Sequence, residues 1–145
     1  MPRFSLLALA SLLAGCATMH HREPEFMTLG STLPYPFSPV VRVGDMLYLS
    51  GQIGTDSAGR VVSGGIQAET RAALNNIRDI VTRSGSSMDR VVKCTVMMAD
   101  MKEWPVMNDV YTTYFPTHKP ARSAFGATGL ALNARVEIEC WAVAT

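Results

Sequence analysis

Arg135-Val136-Glu137-Ile138-Glu139-Cys140-Trp141-Ala142-Val143 alternates without a break. In an extended strand Val136, Ile138, Cys140 and Ala142 point to one face, and Glu137, Glu139, Trp141 and Val143 to the other. Asp89 to Ala99 has the same two-residue period, which sets Val92, Cys94, Val96 and Met98 against Val91, Lys93, Thr95 and Met97. Working outward, Ile66, Ala73, Leu74, Ile77, Ile80 and Val81 recur at three- and four-residue spacing, with Gln67, Glu69, Arg71, Arg78 and Arg83 between them. This spacing predicts an amphipathic helix of about five turns, ended by Gly85. Asp100 and Glu103 are spaced as a capping box, and Pro105 suits the first turn of a second helix running to about Phe115, with Pro116 and Pro120 beyond it. Val40 to Val43 and Met46 to Ile53 are β-rich runs linked by Gly44-Asp45, a hairpin signal. Arg60-Val61-Val62, after the turn at Asp56-Ser57-Ala58-Gly59, predicts a short third strand, and Ala121 to Thr128 a further one. The order β-β-β-α-β-α-β-β, with two helices on one side of a mixed sheet, is an α+β layer.

A chain of 145 residues with 48% apolar side chains suits a single core, and 13 Lys+Arg against 12 Asp+Glu gives no basic surface for nucleic acid. Neither figure suits a disordered chain. A sheet covered by helices on one side leaves the other side open. Trp141, Val143, Val91 and Met97 would form an apolar patch there, which predicts an oligomer.

Residues 1–15 are a different kind of sequence. A basic start at Arg3, an apolar run from Phe4 to Leu13 and a small-residue exit read as a secretory signal, too short to span a bilayer. Leu13-Ala14-Gly15-Cys16 resembles the lipobox of bacterial lipoproteins, in which Cys16 is acylated and the chain is cut before it. Losing the leader removes one Arg and no acid, so the mature protein is neutral. The expected address is the cell envelope, on the periplasmic side and lipid-anchored. Ala17 after the cysteine, rather than Asp, favours the outer membrane in a Gram-negative cell. Residues 16–31 read as the lipidated cysteine and a flexible tether, and 32–145 as the domain. Met19-His20-His21 in that tether is expected to be solvated rather than metal-bound.

The domain has no Walker A, GxGxxG, HExxH or paired CxxC motif. His118 stands in a Pro-bounded loop and reads as solvated, so acid-base work falls to carboxylates, with Glu137 and Glu139 as candidates. Arg122, directly after the Pro120-Ala121 corner, could grip a ligand carboxylate with its planar fork, although chemistry alone leaves a surface salt bridge as the simpler role. Cys94 and Cys140 share a sheet face. Two reduced, buried thiols are expected of them; an oxidising compartment would permit a disulfide, but spacing does not tell whether their strands are neighbours. The methionines, Met97, Met98, Met101 and Met107 among them, read as core filling.

Pro120-Ala121-Arg122-Ser123, followed fifteen residues after the arginine by Glu137 within Arg135-Val136-Glu137-Ile138-Glu139, resembles the C-terminal signature of the YjgF/RidA reactive-intermediate deaminase family. Val43-Gly44-Asp45-Met46-Leu47-Tyr48-Leu49-Ser50-Gly51-Gln52-Ile53 is similar to its N-terminal hairpin. Asn75-Asn76-Ile77, Val92-Lys93-Cys94-Thr95-Val96 and Met107-Asn108-Asp109-Val110-Tyr111 fall between in the expected order. The resemblance implies a chorismate-mutase-like α+β fold, a homotrimer and a site in each cleft between subunits. It implies hydrolysis of enamines and imines, of the 2-aminoacrylate or 2-iminobutanoate type, to 2-keto acids and ammonia, with no metal or organic cofactor. Carried over by motif, Arg122 binds the substrate carboxylate, the Ala124 N–H adds a hydrogen bond, and Glu137 positions or deprotonates water and helps protonate the leaving amine. Ser50 and Asn108 match cleft-lining positions, and Phe37 stands where many of these deaminases carry a tyrosine. The alternative is a non-catalytic trimer of the envelope that binds small carboxylates or acts as a chaperone-like interaction module.

Overall fold

The computed structural model of the protein describes residues 23–30 and 36–145. The leader, Cys16 and Met19-His20-His21 lie outside them. Helix α1, Gly65–Arg83, forms where the spacing predicts it, and all six residues of its apolar stripe, from Ile66 to Val81, are buried. Helix α2, Trp104–Tyr114, has Pro105 in its first turn as expected and buries Met107, Val110 and Tyr111. The helices pack on each other and on one face of a mixed sheet. Removing a side chain such as Leu74, Ile77 or Leu47 from water there contributes roughly 1.5–3 kcal/mol.

Among the described residues the sheet runs β1 (Glu25–Met27), β2 (Val40–Val43), β3 (Met46–Leu49), β7 (Val136–Val143), β5 (Val91–Met98) and β6 (Ala121–Gly126), with β4 (Gln52–Ile53) also pairing with β7. All pairs are antiparallel except β5 with β6. The alternating run Val136–Val143, strand β7, is therefore central.

Several expectations are corrected. Glu25–Met27, expected in the tether, is an edge strand paired with β2. Met46 to Ile53 is interrupted at Ser50-Gly51, so that β3 and β4 contact successive stretches of β7. Arg60-Val61-Val62 makes only one bridge, Thr55 to Val61. A bulge between Val91 and Lys93 reverses the expected sides of the first two residues of β5. Val91 is buried opposite Ala142 and Val92 is exposed. One extra residue in one strand has this effect because side chains alternate with period two. Asp100 caps a short 3₁₀ turn through the Lys102 N–H (2.9 Å), and Glu103 binds Arg135 Nη1 (2.7 Å), so the capping box does not form.

The cysteines are corrected as well. Cys94 and Cys140 are direct partners across β5 and β7, with Cα atoms 4.1 Å apart, and they form a disulfide rather than two free thiols. Such closely opposed antiparallel partners are the narrow, non-hydrogen-bonded kind. Strand adjacency is a tertiary fact that sequence spacing does not carry.

The open face of the sheet does hold an apolar patch. Trp141 packs edge-on against Tyr48, with centroids 5.2 Å apart, and Val143, Met97 and Phe125 share that face. Val91 leaves the patch because of the bulge.

Candidate active site

Arg122 lies on β6, in register with Cys94, and its side chain emerges on the helix side of the sheet. Its guanidinium carbon is 4.6 Å from the ring centre of Tyr111 and 4.9 Å from that of Trp104. Trp104, Asn108 and Tyr111 are spaced i, i+4 and i+7 and share one stripe of α2. The two rings hold the cation by its attraction for their π faces. Burial pushes the Tyr111 phenol up to about 12 against the opposing pull of Arg122, so it stays neutral at physiological pH. The Asn108 Oδ1 and the Tyr111 hydroxyl are buried without a hydrogen-bond partner among the described residues.

Ala124 lies two residues along β6. The Ala127 N–H donates to the Met98 carbonyl (2.8 Å), so by alternation the odd-numbered residues of β6 face β5. The Arg122, Ala124 and Gly126 amides face away from it. No strand lies on that side among the described residues. Arg122 thus has a main-chain donor two residues away on an open edge.

Glu137 lies in a second place. It pairs with Ile53 of β4, beside the interruption at Ser50-Gly51. A Cβ at Gly51 would collide with the Glu137 carboxylate, so the missing side chain is what lets the acid lie against the main chain. The Asn76 amide nitrogen of α1 donates to the Ile53 carbonyl (3.2 Å) and steadies β4. Gly54, likewise without a Cβ, lets the backbone of α1 at Glu69 approach closely. Glu69 accepts from the Arg135 N–H (2.7 Å), anchoring the start of β7 two residues before Glu137. A cleft of about 710 Å³ opens here, and Phe37, Gly51, Ile53, Leu132 and Glu137 are among the residues lining it.

Ser50 acts as a clasp. Its hydroxyl donates to the Ser38 carbonyl (2.7 Å) and its amide to the Pro39 carbonyl (3.0 Å), holding the segment that carries Phe37. Glu139 accepts from the Trp141 indole N–H (2.9 Å). His118 is exposed in its loop.

Arg122 and Glu137 do not meet within one chain. Arg122 is in register with Cys94 and Glu137 with Met97, both on β5. Positions three apart on a strand face opposite sides. The two candidate residues therefore stand on opposite faces of the sheet, Arg122 on the helix side and Glu137 on the open side.

Residues 31–144 match the family model described as Endoribonuclease L-PSP. The chain belongs to that family, which is also the YjgF/RidA family. The 2-iminobutanoate/2-iminopropanoate deaminase of Mus musculus is 42% identical over 109 residues, 74% of this chain and 81% of the relative. The Homo sapiens protein of the same name is 40% identical over 109 residues, 74% of this chain and 80% of its own length. Among solved structures, yeast YEO7 superposes with a TM-score of 0.79 at 31% identity, covering 85% of this chain and all of that one. The YjgF gene product of E. coli superposes with a TM-score of 0.73 at 30% identity, covering 81% of this chain and 94% of that one. The mixed sheet with two helices is the fold of this family.

Trp104 and Tyr111 were not singled out as site residues by sequence reasoning. The available signal was an aromatic pair seven residues apart on a helix preceding the Pro-Ala-Arg corner. Trp104→Leu should raise the KM of a carboxylate substrate about tenfold with little change in kcat, and Trp104→Phe should restore it. Steady-state kinetics on the three proteins checks this; a fall in kcat alone would argue against a positioning role.

Proposed function

We propose that the protein hydrolyses short-lived imines and enamines of the 2-iminobutanoate or 2-aminoacrylate type to 2-keto acids and ammonia, at sites shared between neighbouring copies of a homotrimer. The observation that carries this reading is the pair Arg122 and Glu137. Both stand at family spacing in a chain about 40% identical to proteins named as imine deaminases, yet on opposite faces of one sheet. A site that uses both must join the arginine half of one copy to the carboxylate half of the next. The apolar patch around Tyr48, Trp141 and Phe125 supports such an assembly, since exposed apolar surface of this kind marks contact between chains.

In this reaction the arginine fork binds the substrate carboxylate in a bidentate pair, and the outward Ala124 N–H adds a second anchor. Glu137 accepts a proton from water as its oxygen attacks the C=N carbon. It returns that proton to nitrogen to give the carbinolamine, whose hydroxyl proton then passes through the same carboxylate to nitrogen as the C–N bond breaks, leaving the keto acid and ammonia; an enamine enters this sequence after tautomerising to the imine. Water is the only co-reactant. The neutral Tyr111 ring keeps Arg122 in place without pairing with its charge.

Ammonia release from 2-iminobutanoate by the purified protein tests the reading. Saturable keto-acid binding by calorimetry without turnover would instead favour a carboxylate-binding module.

The address belongs to the same proposal. The lipobox-like Leu13-Ala14-Gly15-Cys16 supports a lipid-anchored envelope protein, and the Cys94–Cys140 disulfide fits an oxidising compartment. A clickable fatty acid fed to cells should label the full chain and not Cys16→Ala. Equal labelling of both would remove the anchor from the account.

A further inference from the structure

Arg135 is tied down at its main chain and its side chain alike. Its N–H donates to Glu69 Oε2 (2.7 Å) and its carbonyl accepts from the Ala99 N–H (3.0 Å). Its guanidinium reaches two carboxylates, with Nη1 donating to Glu103 Oε1 (2.7 Å) and Nε 3.8 Å from Glu69 Oε1. An ion pair on an open surface contributes little. Here the acids are sheltered: the Glu69 side chain is 6% exposed, that of Glu103 24%, and the second Glu103 oxygen is buried with no hydrogen-bond partner among the described residues. A carboxylate in such a place needs its cation and its donors fixed, and Arg135 supplies them to both. All these contacts lie within one chain, and burial can only grow when a second copy docks.

The two arms of this network end beside the two candidate residues. Glu103 directly precedes Trp104, whose ring stacks on the Arg122 guanidinium. Glu69 has its backbone against Gly54, the residue after Ile53, which pairs with Glu137. Arg135 itself stands two residues ahead of Glu137. We propose that Arg135 is a positioning residue that acts through Glu103 on the turn placing Trp104 against Arg122, and through Glu69 on the strand start placing Glu137. The proposal rests on the hydrolase reading above and adds to it a residue that touches neither substrate nor the reacting atoms. The arms differ in what they control. The Glu103 arm governs the grip on the substrate carboxylate, which is present in the ground state and the transition state alike and so appears in KM. The Glu69 arm governs the place of the proton acceptor, which matters only as water attacks and so appears in kcat.

Steady-state kinetics on 2-iminobutanoate, with melting temperatures of the same proteins, test the proposal. Glu103→Ala should raise KM about fivefold and leave kcat within about twofold. Glu69→Ala should lower kcat about tenfold and leave KM within about twofold. Glu69→Gln should restore most of kcat, because its amide oxygen still accepts the Arg135 N–H. Both Glu69 variants lose the charge pairing and should melt lower than the wild type, yet only Glu69→Ala should lose kcat. Arg135→Lys keeps the main-chain bonds and the charge but cannot reach both acids with one ammonium, so KM should rise and kcat fall, each about threefold. A merely structural network would not separate the two constants. Kinetics that simply follow melting temperature, a Glu103→Ala effect on kcat alone, or wild-type constants in Arg135→Lys overturn the positioning role and leave the hydrolase reading intact. If Glu69→Ala does not fold, the Glu103→Ala and Arg135→Lys results decide on their own. Absence of turnover by the wild type overturns both readings.

Discussion

Arg122→Ala and Glu137→Gln should each lower kcat/KM on 2-iminobutanoate by at least about 10²-fold, and unfolding and refolding the two inactive proteins together should bring activity back. The recovery follows from the opposite faces on which the two side chains stand. In the proposed shared site each centre needs an intact arginine from one copy and an intact glutamate from the next. In a random equal mixture half of each kind is intact, so about a quarter of wild-type activity should return. Glu137→Gln suits the experiment because the amide is nearly isosteric and keeps the fit against Gly51. Arg122→Lys is a useful companion, since it keeps the charge but loses the planar fork and its stacking on Trp104 and Tyr111. Mixed oligomers of verified composition that stay inactive would sink the shared site.

The Cys94→Ala/Cys140→Ala double variant should lose roughly 2–4 kcal/mol of stability relative to the oxidised protein. The cysteines are 46 residues apart in sequence, and closing a loop of that length removes a large part of the freedom of the unfolded chain. The bond also crosses the pairing of β5 with β7, the strands that carry Cys94 beside Arg122 and Met97 beside Glu137. Loosening that pairing should broaden both half-sites. Guanidinium midpoints with and without reductant check the effect: the reduced wild type should approach the double variant, and the variant should not respond. Both sulfur-bearing residues are fully buried, so reduction should be slow unless the sheet opens. A double variant as stable as the oxidised wild type would show that the cross-link does not stabilise the fold.

The helices and the central strands were legible because burial imposes a period on them. The stripe from Ile66 to Val81 and the alternation from Val136 to Val143 are both buried as their spacing requires. What escaped depends on neighbours rather than on period. The bulge at Val92, the short Glu25–Met27 edge strand and the Cys94–Cys140 pairing are set by which strand lies beside which. The lone Thr55–Val61 bridge has a similar origin, since a short β-rich run becomes a strand only where a partner runs alongside it. For the candidate site, Arg122 and Glu137 stood out through the resemblance of their motifs to the family's. Trp104 and Tyr111 were not, because the sequence does not say which face of α2 meets the β6 edge.

The close approach of Gly51 to Glu137 has an evolutionary consequence. Two positions 86 residues apart cannot vary independently, because a methyl group at one occupies the space of the carboxylate at the other. Alanine at 51 should be harmful beside Glu137 yet tolerated beside a shorter residue, so the effect of one substitution depends on the state of the other. A lineage that acquired any side chain at 51 would have to swing the acid out of its present place against the main chain. The glycine thereby constrains the descendants of this chain: the carboxylate can keep this placement only while position 51 stays bare.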